Sequence, residues 1–409
     1  MSVEYITSKN LFMLICDSLR LVDKDLMEHG TRVSYILYRM LCCKGGYEEF
    51  ELADFMLLAM LHDVGAYKTD KITKERTFDK QKMMPHSIYG YLFLKYLSHM
   101  DDTAKVVLYH HLSAKQLVNS KYEYKELAEY ICIAEDVDAH PTLLKPEVGA
   151  KYTQGAYELF EEAIGKYDIM KKLSDGSYLK ECDHMLEYVL FSDEEKEKYL
   201  QMLMYCTGMR NKHVAKDTIT TISIARVLGK YLNLGEIEQK ELYYAALLHD
   251  LGMLAFPKEL LEKEDALTKE ELALVKTHVQ ITRDLLKDRF NENIVEAACS
   301  HHERLDGSGY PEKKKGIMMT LQEEILQVAD FVSALSRKRP YREAKSKTDI
   351  IKILREEAGT ERLQRDVVNF LIVNYDSIME YAAKRAATCQ LMYQRLDTQF
   401  EEVYKKFTN

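Results

Sequence analysis

The chain has 409 residues, of which 46% are hydrophobic and 30% charged, and its formal net charge is −9. This length allows two or three domains with substantial cores. The negative charge argues against a nucleic-acid polymer as partner, and no apolar run approaches the roughly 20 residues that a membrane-spanning helix needs.

The N-terminal segment has acidic and polar residues where a signal peptide would have basic ones. The eight cysteines form no CxxC pair and no regular framework, which favours reduced thiols. These features predict a cytoplasmic protein that needs no membrane partner.

The chain is predicted to be all-α. Six prolines leave long uninterrupted segments, and strand-like alternation between turns is scarce. Apolar residues at three-and-four spacing, which is typical of helices, occur in LADFMLLAMLHD, ELYYAALLHD and VVNFLIVNYDSIMEYAAKRAA.

Histidines and aspartates recur in one order in both halves of the chain. The series in the first half is His29, His62-Asp63, His86, His110-His111 and Asp136. The series in the second half is His249-Asp250, His278, His301-His302 and Asp330. The apolar approach to each His-Asp pair also matches, LLAMLHDVG against AALLHDLG. The two halves are therefore predicted to be copies of one helical unit.

Imidazole and carboxylate are ligands that suit iron, manganese and similar ions, whereas thiolates would indicate zinc or iron–sulfur. A carboxylate has two oxygens and can bridge two metals, while imidazole normally binds one. Two ions about 3.5–4 Å apart can clamp the attacking and leaving oxygens of a phosphoryl displacement and activate a water. No serine or cysteine has a comparable arrangement, so metal-activated water attacking phosphorus is the favoured chemistry.

A short loop follows the last His-His pair in HHERLDGSGYP, residues 301–311. Gly307 and Gly309 are expected to allow close backbone approach to a ligand. Tyr310 offers an aromatic face to a base, and Pro311 stiffens the exit from the turn.

These residues resemble the HD-GYP family, metal-dependent phosphodiesterases of the HD superfamily. The resemblance covers about 210–345 and rests on HDLG, His278, HHERLDGSGYP and ADFVSALSRKRPYR. It implies hydrolysis of a cyclic dinucleotide with a centre of two or three iron or manganese ions. The first half, with HGTRV, HDVG, HSIYG, HH and AEDVDA, resembles a second HD domain. Such a tandem is similar to bacterial cyclic GMP-AMP phosphodiesterases.

The resemblance implies two tandem HD-type helical domains with a C-terminal helical extension. The predicted division is 1–145 for the HD domain without a GYP loop, 146–195 for a helical linker, 196–345 for the HD-GYP domain and 346–409 for its C-terminal helices.

The resemblance also implies roles for residues of the second half. Six fall on family metal ligands: His249, Asp250, His278, His301, His302 and Asp330. Among them Asp250 would bridge two metals, and the catalytic residues are expected to be Asp250, His249 and Met253, the last at the position of a family lysine. The substrate-binding residues are expected to be Asp306, Gly307, Gly309, Tyr310, Pro311, Arg339 and Tyr341.

The second half departs from the family pattern at two places. Met253 stands where the family's HDxGK lysine contacts phosphate, so Lys258 or Arg304 would have to supply the charge. Asp217 stands at the family's early histidine, and His213 lies one helical turn before it. We therefore treat His213 and Asp217 as metal ligands that have exchanged their usual positions.

The first half shows the opposite profile. Its ligand set is complete: Asp25, His29, His62, Asp63, His86, His110, His111 and Asp136. After His111, however, comes LSAKQLVNSKYEYKE, which contains no glycine and replaces the GYP loop. Lys68 is either a phosphate contact or a solvated side chain.

The leading interpretation is an enzyme that hydrolyses cyclic GMP-AMP or cyclic di-GMP at the second site, supported or regulated by the first domain. One alternative is a degenerate module that binds the dinucleotide without hydrolysis. Another is a general HD-type nucleotide phosphohydrolase that uses the first site. A homodimer is compatible with each of them.

Overall fold

The computed structural model describes residues 4–68, 80–139, 148–210, 212–337 and 343–408. Every regular element within these ranges is helical, and they contain isolated β-bridges but no strand. The all-α prediction is therefore confirmed. None of the described helices combines the length and the apolar character needed to cross a bilayer.

The helices of the first half are α1 Ser8–Val22, α2 Lys24–Lys44, α3 Glu49–Met60, α4 Lys80–Leu97, α5 Lys105–Tyr109, α6 Ala114–Val118, α7 Lys125–Ala139, α8 Gln154–Tyr167, α9 Ile169–Asp175 and α10 Tyr178–Met185. Those of the second half are α11 Asp193–Arg210, α12 Lys212–Tyr231, α13 Glu236–Leu248, α14 Lys258–Leu261, α15 Lys269–Lys276, α16 His278–Leu286, α17 Glu292–Cys299, α18 Leu321–Ser336, α19 Lys347–Gly359, α20 Arg365–Val373 and α21 Tyr375–Thr408. Short 3₁₀ turns cover Val64–Tyr67, Leu186–Tyr188, Leu251–Ala255 and Gly316–Met318.

The chain forms two compact units. The first unit comprises Leu19–Tyr199 and Arg395–Asn409, and the second comprises Met1–Ser18 and Leu200–Gln394. The division predicted from the sequence puts 1–18 in the first domain, 395–409 with the second, and 146–195 in a linker. In the structure the two chain ends are exchanged between the units, and 148–199 belongs to the first unit.

Specific contacts explain the exchange of the chain ends. In the second unit, Arg289 pairs with Asp17 of α1. In the first unit, the Phe400 ring of α21 stacks on Tyr89 of α4 with centroids 4.2 Å apart. Such pairings join residues hundreds of positions apart, and no local sequence pattern reports them.

The core of the first unit is built around α2, which packs against α3, α7 and α8. Its helical face is fully buried at Val33, Ile36 and Leu37. The side chain of Asp23 caps α2 by accepting a hydrogen bond from the Leu26 amide at 2.9 Å. The cap and the buried face fix the helix that carries His29.

The core of the second unit is built around α12, which packs against α13 and α18. A capping box begins α18: the Thr320 amide donates to the Glu323 carboxylate at 2.6 Å, and the Glu323 amide donates to the Thr320 hydroxyl at 3.3 Å. From this start the helix is buried through Ile325, Leu326 and Val328, which fixes the position of Asp330.

Candidate metal centres and substrate loop

The predicted ligands lie at corresponding places in the helical frameworks of the two units. In each unit the His-Asp pair directly follows the helix with the apolar approach, α3 or α13. The His-His pair follows α5 in the first unit and α17 in the second. The single histidine lies on α4 or begins α16, and the late carboxylates lie on α7 or α18. The repeat predicted from the histidine order therefore corresponds to a repeated arrangement of helices.

One hydrogen-bond pattern orients most of these histidines. Their Nδ1 donates to the carbonyl oxygen three residues earlier, which leaves Nε2 as the atom directed at the site. The pairs are His62 with Ala59 at 2.6 Å, His110 with Val107 at 2.5 Å, His249 with Ala246 at 2.9 Å, His278 with Val275 at 2.8 Å, and His301 with Ala298 at 2.7 Å.

Five of the six residues of the second unit that fall on family metal ligands come together as two adjoining groups. One contains His249, Asp250 and His301, and the other contains His278, His301 and His302. The two oxygens of Asp250 face different groups, Oδ2 lying 3.4 Å from His249 Nε2 and Oδ1 3.4 Å from His278 Nε2. One carboxylate therefore reaches both groups, as a bridging ligand must.

Asp330 completes the second-unit cluster. Its Oδ1 lies 3.7 Å from His249 Nε2, and its Oδ2 lies 3.8 Å from His302 Nδ1. The Nε2 atoms of His278 and His301 are 3.2 Å apart. Two imidazole nitrogens at this distance share either a proton or a metal ion.

Burial controls the charge of these side chains. It lowers the pKa of His301 to about 4 and that of His302 well below its ordinary value. Burial alone would also lower the pKa of His249, but Asp250 and Asp330 raise it to about 9. Burial opposes ionisation of Asp330, yet the nearby His249, His302 and His301 lower its pKa. At neutral pH His301 and His302 are neutral and Asp250 and Asp330 are ionised, the forms that bind metals, whereas His249 must lose a proton when a metal binds.

The first unit forms two ligand groups that correspond to those of the second unit. One contains His29, His62, Asp63 and Glu135, and the other contains His86, His110 and His111. Asp63 again faces both, with Oδ2 3.5 Å from His62 Nε2 and Oδ1 3.3 Å from His86 Nε2.

The structure does not bring Asp136 into this cluster. Its Oδ1 accepts a hydrogen bond from Lys151 Nζ at 2.5 Å, whereas the neighbouring Glu135 lies 3.2 Å from His62 Nε2 and 3.8 Å from His110 Nε2. Aligning IAEDVDA (133–139) with VADFVSA (328–334) would have found this, because Glu135 then falls on Asp330.

His29 is held by a buried acid. Its Nδ1 lies 2.6 Å from Asp138 Oδ2, and Arg32 Nη2 donates to the same oxygen at 3.1 Å. Burial opposes ionisation of Asp138, but the hydrogen bonds from His29 and Arg32 lower its pKa to about 2. The sequence analysis did not identify this orienting carboxylate. Asp25 is exposed in the first turn of α2 and lies outside the ligand groups.

The predicted ligands His213 and Asp217 lie on α12, but neither belongs to the ligand groups of the described residues. The carboxylate of Asp217 pairs with Arg337, and its backbone oxygen accepts a hydrogen bond from Ser333 at 3.2 Å. Two other predicted site residues, Arg339 and Tyr341, lie outside the described residues.

The glycine of each HDxG motif lies where a helix approaches closely. A Cβ on Gly65 would lie 2.0 Å from the carbonyl oxygen of His86, and one on Gly252 would lie 2.2 Å from that of His278. Neither position can carry a side chain unless the backbone moves. Glycine here brings the His-Asp turn against the helix that carries the next histidine.

The loop after His302 packs closely on its own beginning. A Cβ on Gly309 would lie 2.4 Å from Glu303 Cα and from the Arg304 amide nitrogen. Glycine at 309 is thus required by contact with the protein's own backbone, whereas the sequence predicts that it allows approach of a ligand. Gly307 has φ of 79°, the left-handed region.

The remaining loop residues lie close to the metal ligands or at the surface. The Tyr310 ring lies 4.7 Å from the His302 ring, and Lys276 Nζ lies 4.7 Å from its centroid. Asp306 accepts the Ser308 amide at 2.9 Å and pairs with Arg362. Both Asp306 and Pro311 are exposed.

Met253 is half-buried, and its amide donates to the carbonyl oxygen of Asp250 at 2.9 Å. Of the two cations considered as substitutes, Lys258 begins α14, whereas Arg304 directly follows the HHE sequence. Arg304 lies 5.0 Å from the Phe331 ring and has no ion pair with a carboxylate among the described residues. In the first unit, Lys68 pairs with Asp397 at 2.5 Å.

The ligand groups fit divalent metal ions. The buried Nε2 atoms of His110 and His249 have no hydrogen-bond partner within the described ranges, although an unsatisfied buried polar atom is costly. Each belongs to a cluster of imidazoles and carboxylates without cysteine, a donor set that suits iron or manganese.

The comparisons with known proteins agree with this arrangement. Residues 26–140 and residues 201–367 each match a family described as an HD domain. The 3'3'-cGAMP-specific phosphodiesterase 1 of Vibrio cholerae is 28% identical over 411 residues, covering 93% of this chain and 94% of that protein. The cyclic di-GMP phosphodiesterase response regulator RpfG of Xanthomonas campestris is 40% identical over 124 residues, covering 30% of this chain and 33% of its own.

Among solved structures, a cyclic GMP-AMP-specific phosphodiesterase of V. cholerae, V-cGAP3, superimposes with a TM-score of 0.58 at 16% identity. The match covers 91% of this chain and 98% of that one, and it concerns the fold alone. With two family matches that enclose two equivalent ligand clusters, the chain is a tandem of two HD domains.

Proposed function

We propose that the protein hydrolyses a cyclic dinucleotide, cyclic GMP-AMP or cyclic di-GMP, at the second HD site. The observation that carries the proposal is the position of Asp250, whose two oxygens face two ligand groups beside the 303–314 loop. The near full-length similarity to a cGAMP-specific phosphodiesterase supports a cyclic dinucleotide as the substrate class.

The ligand set of the second unit suits two or three iron or manganese ions, with Asp250 as the shared carboxylate. Bound ions would supply a Lewis acid for the phosphate oxygens and an activated water. The protein's part is to hold neutral His301 and His302 and ionised Asp250 and Asp330 in place. His301, His302 and Asp250 follow the ends of packed helices, and Asp330 lies within α18, so the helical framework fixes their positions.

Arg304 is the residue we propose as the phosphate contact in place of Met253. Its guanidinium is anchored by Phe331 and by a 2.7 Å hydrogen bond from Nη1 to the carbonyl oxygen of Glu303. Burial lowers the pKa of Arg304, whereas the carboxylates of Glu357 and Asp330 oppose this shift. A guanidinium with no carboxylate partner among the described residues is available to a substrate phosphate.

The first HD domain is proposed to support or regulate the second site. Its ligand cluster is well formed, but the segment after His111 builds α6 and contains no glycine-rich loop. This domain therefore offers metal ligands without a counterpart of the loop at 303–314.

The test uses full-length protein purified without oxygen, metal analysis, and a panel of cyclic dinucleotides resolved by chromatography. We expect iron or manganese, and a linear dinucleotide as product. Asp250→Ala should lower turnover more than about tenfold while helical content is retained, because the shared ligand is lost. Dinucleotide binding without turnover in the metal-loaded protein would instead identify a binding module.

A further inference from the structure

Glu303, the acid of HHE, is not part of either ligand group in the second unit, yet it is 0% exposed. Its Oε1 accepts a hydrogen bond from the Glu312 amide at 2.6 Å, and its Oε2 accepts one from the Lys314 amide at 2.9 Å. A buried carboxylate is costly unless such bonds compensate it. Both oxygens are used to hold the returning end of the loop.

Two further hydrogen bonds hold the first part of the loop. The Tyr310 amide donates to the carbonyl oxygen of His302 at 3.1 Å. Gln327, on α18 and three residues before Asp330, donates to the carbonyl oxygen of Glu303. The loop is thus connected at several points to the two segments that supply His302 and Asp330.

Beyond Glu303, the loop is anchored by Lys314. Its ammonium group lies 2.9 Å from the carboxylate of Glu323 and 3.0 Å from the hydroxyl of Ser300, and it also pairs with Glu296. These partners belong to α17, to α18 and to the turn before His301. Lys314 thus attaches the returning end of the loop to α17 and α18. The hydrogen bonds from this end to Glu303 connect the start of the loop to the same helices.

The first HD domain provides an internal comparison. The residue that follows its His-His pair is Leu112, where the second domain has Glu303. The first domain still assembles its histidines and acids into two ligand groups. A carboxylate at this position is therefore unnecessary for the ligand cluster, and it occurs in the domain that has the loop.

We propose that Glu303 is a positioning residue for substrate binding, which holds the 304–314 loop so that Tyr310 lies against His302. The inference rests on the proposed function, because the ligand of the loop is taken to be a cyclic dinucleotide. It assigns Glu303 to the loop and not to the metal ligands.

The experiment compares Glu303→Leu, which copies the first domain, with Glu303→Gln, which keeps one acceptor. Glu312→Gln serves as the matched control, since it removes a carboxylate from the same loop but leaves its amide. The measurements are bound metal, KM and kcat for the cyclic dinucleotide, turnover of bis(p-nitrophenyl) phosphate, and hydrogen exchange of amides in 304–316.

For Glu303→Leu we expect KM to rise roughly tenfold or more, because two hydrogen bonds to a charged acceptor are lost. Exchange in 304–316 should be faster, while metal content and turnover of the small ester stay near wild type. Glu303→Gln should lie between Leu and wild type, and Glu312→Gln should resemble wild type.

Parallel loss of metal and small-ester turnover in Glu303→Leu would overturn the proposal, as would unchanged exchange and KM. If wild-type protein hydrolyses no cyclic dinucleotide, the proposed function fails. The exchange rates and metal content of the variants still decide whether Glu303 positions the loop.

Discussion

The carboxylate of Asp217 pairs with the guanidinium of Arg337 in the second HD domain. At the corresponding place on α2, the first domain has His29, which binds the carboxylate of Asp138. Aligning VADFVSA with IAEDVDA places Ser333 at the position of Asp138. The two domains thus differ at both members of the pair, and the Asp217 carboxylate pairs with an arginine.

We predict that Asp217→Ala leaves the metal content of the second site near wild type. It should lower the free energy of unfolding by about 2 kcal/mol, because a mostly buried arginine loses its partner. Metal analysis and urea unfolding measure the two effects. His213→Ala is the companion variant. Loss of metal in either variant would show that the substituted residue is a metal ligand.

Substitutions of Arg304 and Met253 test the proposed phosphate contact. We expect Arg304→Gln to raise KM for the dinucleotide about tenfold with metal content unchanged, the order of effect for one charge-assisted contact. Met253→Lys in the Arg304→Gln background should recover part of the affinity, since the family places a lysine there. Lys352→Gln, an exposed lysine on α19, is the control. If the lysine gives no recovery, position 253 does not face the substrate phosphate.

Gly309→Ala should weaken both dinucleotide binding and metal retention. The added methyl would overlap the backbone of Glu303 and Arg304, and the displacement would reach the adjacent His302. Gly359→Ala is the matched control in the same unit, because a Cβ there meets nothing within 4 Å. Affinity loss with full metal content would show that Gly309 acts through the substrate alone.

The raised pKa of the Glu324 carboxyl group leads us to expect that the stability of the protein depends on pH. Burial, with added repulsion from Glu323 and Asp366, raises its pKa to about 7. The unfolded value is about 4.3, so between these values the folded state holds the extra proton and stability falls as pH rises. Glu324→Gln should therefore stabilise the protein at about pH 8, by no more than about 1 kcal/mol since the group is partly exposed and screened.

Urea unfolding of Glu324→Gln and wild type from about pH 5 to pH 8 checks this prediction. The gain from the substitution should shrink as pH falls and vanish toward pH 4–5, where both states protonate the carboxyl. A gain that is independent of pH would mean that the side chain amide stabilises by another route.

The sequence predicted the helical framework and most of the ligands because both depend on local and repeated patterns. Helix periodicity located the apolar faces, and the order of histidines recurred. The sequence pattern selects Asp136, whereas the structure brings Glu135 to the ligand group, since adjacent side chains on a helix point about 100° apart and packing selects one. The sequence also did not predict that Gly309 packs against Glu303, because this depends on how the loop turns back.

Local sequence patterns also do not report which unit each chain end joins. The contacts of Asp17 with Arg289 and of Tyr89 with Phe400 join residues from opposite ends of the sequence. They bear directly on experiments with fragments. Cutting the chain between 195 and 196 would remove α1 from the second unit and the end of α21 from the first.

The role of the first HD domain is therefore tested in the full-length chain. We predict that His62→Ala with Asp63→Ala removes about two equivalents of metal, because Asp63 faces both ligand groups and His62 belongs to one of them. Turnover at the second site should fall only partly, since the proposed catalytic cluster is separate and keeps its own six ligands. Asp138→Asn should have the same effects to a smaller extent, because it weakens the orientation of His29 without removing a ligand. Asp250→Ala is the reciprocal control, which should lose cyclic dinucleotide hydrolysis but keep the first-site metal. If hydrolysis survives Asp250→Ala and is lost in the His62 and Asp63 variant, the first domain holds the catalytic site.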